Sequence, residues 1–193
     1  MTIEGAILAG GKNSRYGGKN KAFIIVEGAK IIDRNLQVLK SKFPRICIIT
    51  NSIEQFSDYS DYPMSSDHYQ NIGPLAGIHS ALRNAQSDFI FVTSCDMPFL
   101  DAGIISQVID SVKQQAADAI IPRINGKIEP LFALYNVAIL NKLEQHITTD
   151  ENRSIRSFLV KIDTRYIELE DDASTKRAFT NINRPEDLAG LTT

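Results

Sequence analysis

Short apolar runs rich in β-branched residues alternate with longer segments of helical periodicity over the first two thirds of the chain. The runs EGAILAG, RICIITN, DFIFVTS and DAIIPR predict strands at residues 4–10, 45–51, 88–94 and 118–123. Between them, apolar residues at helical spacing predict helices over 31–42, 75–86 and 101–115, the last capped by Asp101. This alternation is typical of βαβ units, and it predicts an α/β fold with a mostly parallel central sheet between two helical layers.

The pattern loosens after residue 120. IEPLFALY (128–135) predicts a strand paired with the first strands, residues 136–147 a helix, and RSIRSFLVKI (153–162) a short helix. RYIEL (165–169) predicts a further strand and PEDLAGL (185–191) a terminal helix with Pro185 in its first turn. The polar stretch 52–67 is the longest loop candidate. Because no repeat or long linker divides the 193 residues, we expect one domain over 1–193.

Charge and cysteine content exclude several classes of protein. The formal net charge of −2 gives no broad cationic field for nucleic acid or an acidic membrane surface, so any basic site must be local. The first eleven residues, MTIEGAILAGG, lack the pattern of a signal peptide or membrane anchor, and we expect a cytoplasmic protein. Cys47 and Cys95 lie in apolar runs without metal-binding spacing and predict buried, reduced thiols.

A local basic site follows the first predicted strand, in the stretch AILAGGKNSRYGGKNK (6–21). Ligands of open parallel sheets bind at the carboxyl ends of strands, and Gly10 and Gly11 allow the backbone to approach a phosphate closely. Arg15, Lys19 and Lys21 supply positive charge. The stretch matches neither GxGxxG nor the P-loop pattern, so a phosphate loop of another kind and a solvated basic turn both remain open.

Asp96, in SCDMPF, follows the most apolar predicted strand and should lie at the same edge of the sheet. A carboxylate in this position is a natural Mg²⁺ ligand, because magnesium in nucleotide sites is usually held by one or two carboxylates together with phosphates and waters. A helix-capping role is the simpler alternative. Taken together, the basic glycine loop and Asp96 indicate a nucleoside triphosphate held by magnesium.

Five motifs occur in an order and spacing that resemble the molybdenum cofactor guanylyltransferases, the MobA family: LAGGKNSRYGGKNK, DHYQNIGPLAGI, SCDMPF, EPLFALY and TNINRPEDL. The resemblance spans nearly the whole chain and implies a Rossmann-like nucleotidyltransferase fold. It implies Mg²⁺-dependent transfer of GMP from GTP to molybdenum-bound molybdopterin, with release of pyrophosphate. Transient contact with molybdoenzyme maturation proteins is also implied.

The resemblance assigns roles to individual residues. It implies that Lys21 binds the phosphates and that Asp96 binds magnesium; Arg15, Lys21 and Asp96 are the expected catalytic residues. The implied nucleotide contacts are Leu8, Ala9, Gly10, Gly11, Lys21, Asn51, Asp67, Gly77 and Asp96. Acceptor contacts are assigned to Asn181 and Asn183. The residues themselves, rather than the resemblance, suggest Arg153 and Arg156 as further acceptor contacts, because they lie three apart on a predicted short helix; a solvated helix face is the equal alternative. For Asp67, recognition of the guanine edge, a ribose contact and a plain Asx turn all stay open.

Three positions depart from the family pattern. Asn20 stands where the family often has Asp before the lysine, Tyr16 replaces a usual Met, and Glu129 stands where Gln is common. None of these changes removes Lys21 or Asp96, so they bear on turnover more than on identity.

Other functions remain open on the sequence alone. Within the enzyme class, CTP could replace GTP, or a sugar phosphate could replace molybdopterin. A non-catalytic molybdopterin carrier would need no metal-binding Asp96, and a regulatory nucleotide-binding module would bind without releasing pyrophosphate. The three histidines, His68, His79 and His146, are expected to be surface or packed side chains, in keeping with a reaction between phosphates that needs no general base.

Overall fold

A computed structural model describes residues 1–10, 20–114 and 117–188. Its strands are β1 Ile3–Leu8, β2 Ile25–Val26, β3 Ala29–Lys30, β4 Ile46–Ile49, β5 Met64–Ser65, β6 Phe89–Ser94, β7 Ala119–Ile124, β8 Lys127–Ile128, β9 Phe132–Asn136 and β10 Thr164–Glu168. Its α-helices are α1 Ile31–Lys40, α2 Pro74–Asn84, α3 Ala102–Gln114, α4 Leu140–Thr149, α5 Ile155–Leu159 and α6 Ala173–Ala178. Short 3₁₀ helices span Lys21–Phe23, Ile53–Tyr59, Val137–Ile139 and Pro185–Leu188.

The central sheet confirms the predicted α/β class. Its strands lie in the order β10-β7-β9-β6-β1-β4-β5, with β8 paired to β7. β1 pairs in parallel with β4 on one side and with β6 on the other, so the carboxyl ends of these three strands lie together. β9 runs antiparallel between β6 and β7.

Helices cover both faces of this sheet, because successive side chains of a strand point to opposite faces. In β1, Ile7 packs with α1 and α3 in one apolar cluster. Its neighbours Ala6 and Leu8 pack with α2 and α4 in another. The three-layer arrangement thus follows from central strands that are apolar on both faces.

The prediction for IEPLFALY was wrong in two respects. The segment forms two short strands, β8 and β9, and β9 pairs with β6 and β7 rather than with β1. The chain turns between them, where Phe132 N donates to Glu129 O at 3.1 Å. Pro130, which has no N–H for a ladder, lies in this turn.

Several local predictions also changed. The helix expected over 136–147 is a 3₁₀ turn followed by α4, which ends at Thr149. The expected loop 52–67 contains a 3₁₀ helix whose Phe56 and Tyr59 are buried, followed by β5. The β2–β3 hairpin and α6 had not been predicted.

Two other sequence predictions, the cap of α3 and the buried thiols, are confirmed. Asp101 caps α3, accepting a hydrogen bond from Ile104 N at 2.8 Å. Cys47 and Cys95 are buried free thiols, and burial raises the pKa of each to about 12. Among the residues described, no helix is long and apolar enough to cross a membrane.

Candidate active site

A cavity of about 460 Å³ opens at the carboxyl ends of β1, β4 and β6. The three strands end together because Ala9 N donates to Ile49 O at 2.8 Å and Cys95 N donates to Leu8 O at 3.0 Å. The volume lies within the range of about 300–1,000 Å³ that is usual for small-molecule sites. The cavity is lined by Leu8, Gly10, Ile49, Asn51, Asp67, Gln70, Asn71, Gly73, Pro74, Ala76, Gly77, Ser94 and Leu131.

Asn51 and Asp67 form a reciprocal pair on one wall of this cavity. Asn51 Nδ2 donates to Asp67 Oδ2 at 2.8 Å, and Asp67 N donates to Asn51 Oδ1 at 2.9 Å. A Cβ placed on Gly10 would lie 3.8 Å from the Asn51 amide nitrogen and from the Asp67 carboxylate. The end of β1 therefore borders this polar pair closely, and Gly10 leaves the space beside it open.

The carboxylate of Asp67 lies in a partly buried position. Burial raises the pKa of Asp67 above its usual value, and the hydrogen bond from Asn51 opposes this effect only in part. The carboxylate is thus poorly hydrated and is held by one amide.

The start of α2 forms another part of the cavity lining. Gly73, which precedes the helix, has a φ of +71°, a conformation that glycine adopts at little cost. One turn later, Gly77 lies so close to β1 that an added Cβ would be 3.0 Å from Leu8 Cδ1. The Leu8 side chain is therefore wedged between the sheet and α2.

Lys21 and Asp96 meet at the same edge of the sheet. Lys21 Nζ lies 3.8 Å from Asp96 Oδ2, and the two side chains are 18% and 22% exposed. Lys21 Nζ also donates to Asn183 Oδ1 at 3.3 Å. A lysine, a carboxylate and an amide oxygen from three distant parts of the sequence thus converge.

Asn20 connects this cluster to β1. Its Nδ2 donates to Ala9 O at 2.9 Å, while its Oδ1 accepts from Ala22 N at 3.0 Å. The side chain is buried, with 2% exposed. Asn20 therefore fixes the 3₁₀ turn that begins with Lys21 against the end of the first strand.

Comparison with known proteins identifies the family to which this site belongs. The model of the MobA-like NTP transferase domain matches residues 5–165. The chain belongs to the MobA-like NTP transferase family. A protein from Methanocaldococcus jannaschii named probable molybdenum cofactor guanylyltransferase is 36% identical over 197 residues, covering 96% of each chain. A protein of the same name from Clostridium perfringens strain 13 is 32% identical over 191 residues, covering 96% of this chain and 94% of its own.

Solved structures agree with this assignment. The crystal structure of molybdopterin-guanine dinucleotide biosynthesis protein A from Archaeoglobus fulgidus has a TM-score of 0.81 at 26% identity, covering 99% of this chain and 96% of its own. A 2-C-methyl-D-erythritol 4-phosphate cytidylyltransferase from Thermus thermophilus has a TM-score of 0.69 at 14% identity, covering 99% of this chain and 97% of its own. The second likeness shows the nucleotidyltransferase fold alone.

The sequence-predicted site residues of this MobA-like protein fall into three groups. Leu8, Gly10, Asn51, Asp67 and Gly77 line the cavity, with Ala9 adjacent at the end of β1. Lys21, Asp96 and Asn183 form the polar cluster. Gly11, Arg15 and Lys19 lie outside the described residues.

The remaining acceptor candidates have local contacts. Arg153 and Arg156 are exposed near α5, and Arg153 Nε donates to Asp150 O at 3.3 Å. Asn181 Nδ2 donates to Phe179 O at 3.4 Å. Their role in binding an acceptor stays a prediction.

Sequence reasoning missed the contact between Asn183 and Lys21, and it missed part of the cavity lining. Gln70, Asn71, Ser94 and Leu131 were not named beforehand. The EPL motif contained a usable signal for Leu131, because Leu131 lies in the turn just before β9, beside the end of β6.

A larger and more open cavity of about 640 Å³ lies between α1, α6 and the start of α3. Its two arginines, Arg34 and Arg177, both pair with Glu27, and both guanidinium groups lie over the Phe99 ring. Because none of the predicted site residues lines this cavity, it is a weaker candidate for a polyphosphate site than the edge that contains Lys21.

The chemistry of the cluster fits a magnesium ion. Asp96 offers a partly exposed carboxylate beside the cavity, while the described residues contain no group of three or more His, Cys, Asp or Glu that could hold a metal ion by themselves. A hard cation held by one carboxylate needs further oxygen ligands, which nucleotide phosphates and water supply.

Proposed function

We propose that this protein transfers GMP from GTP to the phosphate of molybdenum-bound molybdopterin, forming the guanine dinucleotide cofactor and pyrophosphate. The observation that supports this most strongly is the convergence of Lys21, Asp96 and Asn183 beside a cavity lined by the GPLAG helix. Relatives named molybdenum cofactor guanylyltransferase, which align over nearly the whole chain, supply the substrate assignment.

In this proposal the nucleoside of GTP occupies the 460 Å³ cavity. Leu8 and the first turn of α2 provide apolar walls for the base. Asp67 accepts hydrogen bonds from the N–H groups of the guanine edge, replacing the water that burial has already removed in part. Asn51 holds the Asp67 carboxylate in position for this contact.

The phosphates lie toward Lys21 and Asp96. Lys21 provides a compact positive charge for the triphosphate. Asp96 would hold Mg²⁺, which when bound neutralises charge on the phosphates and on the departing pyrophosphate. Arg15, which the sequence places in the glycine loop, is proposed as a second cationic contact.

No general base is required in this reaction. The acceptor is a phosphate monoester whose second pKa is about 6, so it is largely ionised at neutral pH. Catalysis then depends on the positioning of two polyanions and on charge stabilisation. His79 agrees with this view, since it is fully buried and its Nε2 lies 3.0 Å from Glu144 Oε1.

Two further parts of the proposal concern the setting of the reaction. The buried free thiols are in keeping with a reducing compartment, and we place the enzyme in the cytoplasm. Arg153 and Arg156 remain the proposed contacts for the acceptor, and transient contact with molybdoenzyme maturation proteins is proposed for delivery of the product.

The test of this function is pyrophosphate release from Mg·GTP in the presence of molybdenum-loaded molybdopterin. Asp96→Ala should fold and bind the nucleotide weakly but release less than about 1% of the wild-type pyrophosphate, since lost charge stabilisation of about 3 kcal/mol costs a factor of over 100. Asp101→Ala, which removes the α3 cap in the same loop, is the matched control and should retain activity. Full activity in a folded Asp96→Ala variant would contradict the assignment of Asp96 as the metal ligand.

A further inference from the structure

The last part of the described chain is attached to the active-site loop. Ile182 N donates to Asp96 O at 2.8 Å, which pairs the two main chains directly. The Ile182 side chain is fully buried in a small cluster with Val26, Ile31 and Phe99. The fold therefore places residue 183 close to Asp96.

The side chain of Asn183 then contacts Lys21. Asn183 Oδ1 accepts from Lys21 Nζ at 3.3 Å, and the same ammonium lies 3.8 Å from Asp96 Oδ2. Lysine has a flexible four-carbon stem, so its ammonium needs fixed oxygen partners if it is to keep one position. Asn183 is such a partner, and it comes from a site 162 residues away in the sequence.

The main chain of Asn183 is held in turn by Asp187. Asp187 Oδ2 accepts from Asn183 N at 2.7 Å and from Arg184 N at 2.8 Å. These two backbone hydrogen bonds lower the pKa of Asp187, and the charges of Arg184 and Lys21 lower it further, so the carboxylate is ionised at neutral pH. Charge-assisted bonds of this kind are stronger than neutral ones.

We propose that Asp187 is a positioning residue of the transfer reaction: its carboxylate fixes the Asn183 backbone so that the Asn183 amide oxygen keeps Lys21 beside Asp96. The inference rests on the proposed function for its kinetic consequence, but the hydrogen bond itself can be observed without turnover. It also gives Asn183 a role toward the nucleotide, in addition to the acceptor role that the sequence suggested.

The chain contains a matched control for this proposal. Asp172 is also exposed, and its carboxylate accepts a backbone hydrogen bond from Thr175 N at 2.7 Å at the start of α6. Its pKa is likewise lowered by backbone hydrogen bonding. Asp172→Ala therefore also removes a carboxylate that accepts a backbone hydrogen bond, but one that holds no residue of the proposed active site.

The kinetic experiment measures kcat at saturating Mg·GTP and molybdenum-loaded molybdopterin. Asp187→Ala should lower kcat about ten-fold. Asp172→Ala should lower the melting temperature as much as Asp187→Ala does, but it should leave kcat unchanged. Asp187→Asn keeps an oxygen acceptor for both N–H groups and should retain at least about a third of kcat. In an Asn183→Ala background, Asp187→Ala should cost less than two-fold, because the group through which it acts is already missing.

Each contrary result overturns the proposal. A ten-fold loss from Asp187→Ala in the Asn183→Ala background would mean that Asp187 acts independently of Asn183. Unchanged kcat in a folded Asp187→Ala variant would mean that the carboxylate is only structural. If Asp187→Ala does not fold, a ten-fold loss of kcat in folded Asp187→Asn would contradict the hydrogen-bonding account.

Crystal structures of the wild-type and Asp187→Ala proteins test the geometry separately. The Asn183–Lys21 hydrogen bond should be present in the first and absent from the second. Its persistence in the variant would overturn the positioning role even if the wild type released no pyrophosphate. A wild type that releases no pyrophosphate, together with a variant that lacks this hydrogen bond, would instead contradict the proposed function alone.

Discussion

Asn20 uses both ends of its side-chain amide, which an Asp in this position could not do. The Nδ2 group donates to Ala9 O while Oδ1 accepts from Ala22 N. An ionised Asp could make the second bond but would turn an acceptor toward the Ala9 carbonyl. In this chain, therefore, Asn20 supports the position of Lys21.

This argument predicts a measurable effect of Asn20→Asp. Because the site is buried, a carboxylate facing the Ala9 carbonyl should lower the free energy of unfolding by about 2 kcal/mol. Urea denaturation checks this value. Asn136 caps the Val137–Ile139 turn by the same bond to Ala138 N but is partly exposed, so Asn136→Asp is the control and should change stability by less than about 0.5 kcal/mol. Equal effects at the two sites would contradict the argument.

Asp67 is the residue proposed to distinguish the bases. Asp67→Asn replaces one acceptor oxygen by a donor, which would face the N–H groups of guanine. We expect the ratio of kcat/KM for GTP over CTP to fall at least ten-fold, measured by pyrophosphate release. The ratio would stay unchanged if Asp67 contacts only the ribose or serves only to shape the loop.

The raised pKa of Asp67 gives a pH prediction with a definite sign. The carboxyl group of Asp67 binds its proton more readily in the folded protein than in the unfolded chain. The protonated side chain therefore favours folding at low pH, and the ionised side chain opposes folding at higher pH. In this account GTP binds to the ionised carboxylate, so lowering the pH should raise the KM for GTP. The rise should begin at pH values above the usual Asp pKa of 3.8. The KM of Asp67→Asn should lack this rise; an identical rise in both proteins would exclude Asp67 as its source.

At the scale of elements, the close approach of α2 to β1 shapes the cavity. Gly77 allows the helix to press on Leu8, whose side chain forms part of the cavity wall. The polar pair of Asn51 and Asp67 faces the same space from the ends of β4 and the following loop.

Gly77→Ala should therefore act on binding through Leu8. The added methyl would meet Leu8 at 3.0 Å and displace it toward the nucleotide, so we expect KM for GTP to rise about ten-fold with little change in kcat. Steady-state kinetics measure both parameters. In a Leu8→Ala background the added methyl has no leucine to displace, and the same substitution should change KM less than two-fold. A persistent ten-fold rise there would show that Leu8 does not transmit the effect.

The sequence alone was sufficient to predict the strands whose apolar pattern is local. β1, β4, β6 and β7 are apolar on both faces and were predicted within a few residues. Because parallel strands end at a common edge, the meeting of Asp96 with Lys21 could also be expected. The position of β9 in the sheet could not be predicted. Its pairing depends on the chain running back antiparallel to β7, and a short apolar run does not specify which strands lie beside it.

At the scale of the whole molecule, the proposed active site joins segments that are far apart in the sequence. Lys21 follows the first strand, Asp96 follows the middle strand, and Asn183 arrives from the last described part of the chain. The hydrogen bond between Asn183 and Lys21 depends on the segment after α6, in which Ile182 N donates to Asp96 O. Neither the spacing nor the chemistry of TNIN predicted it, although the family resemblance had marked the motif.

The most direct test of the central claim is to quantify both products of one reaction. Wild-type protein with molybdenum-loaded molybdopterin and Mg·GTP should yield pyrophosphate and molybdopterin guanine dinucleotide in a one-to-one ratio, with the dinucleotide measured by mass spectrometry. Mg·CTP should give less than about a tenth of either product. Tight cofactor binding without release of pyrophosphate, or equal yields from the two nucleotides, would contradict the proposed guanylyl transfer.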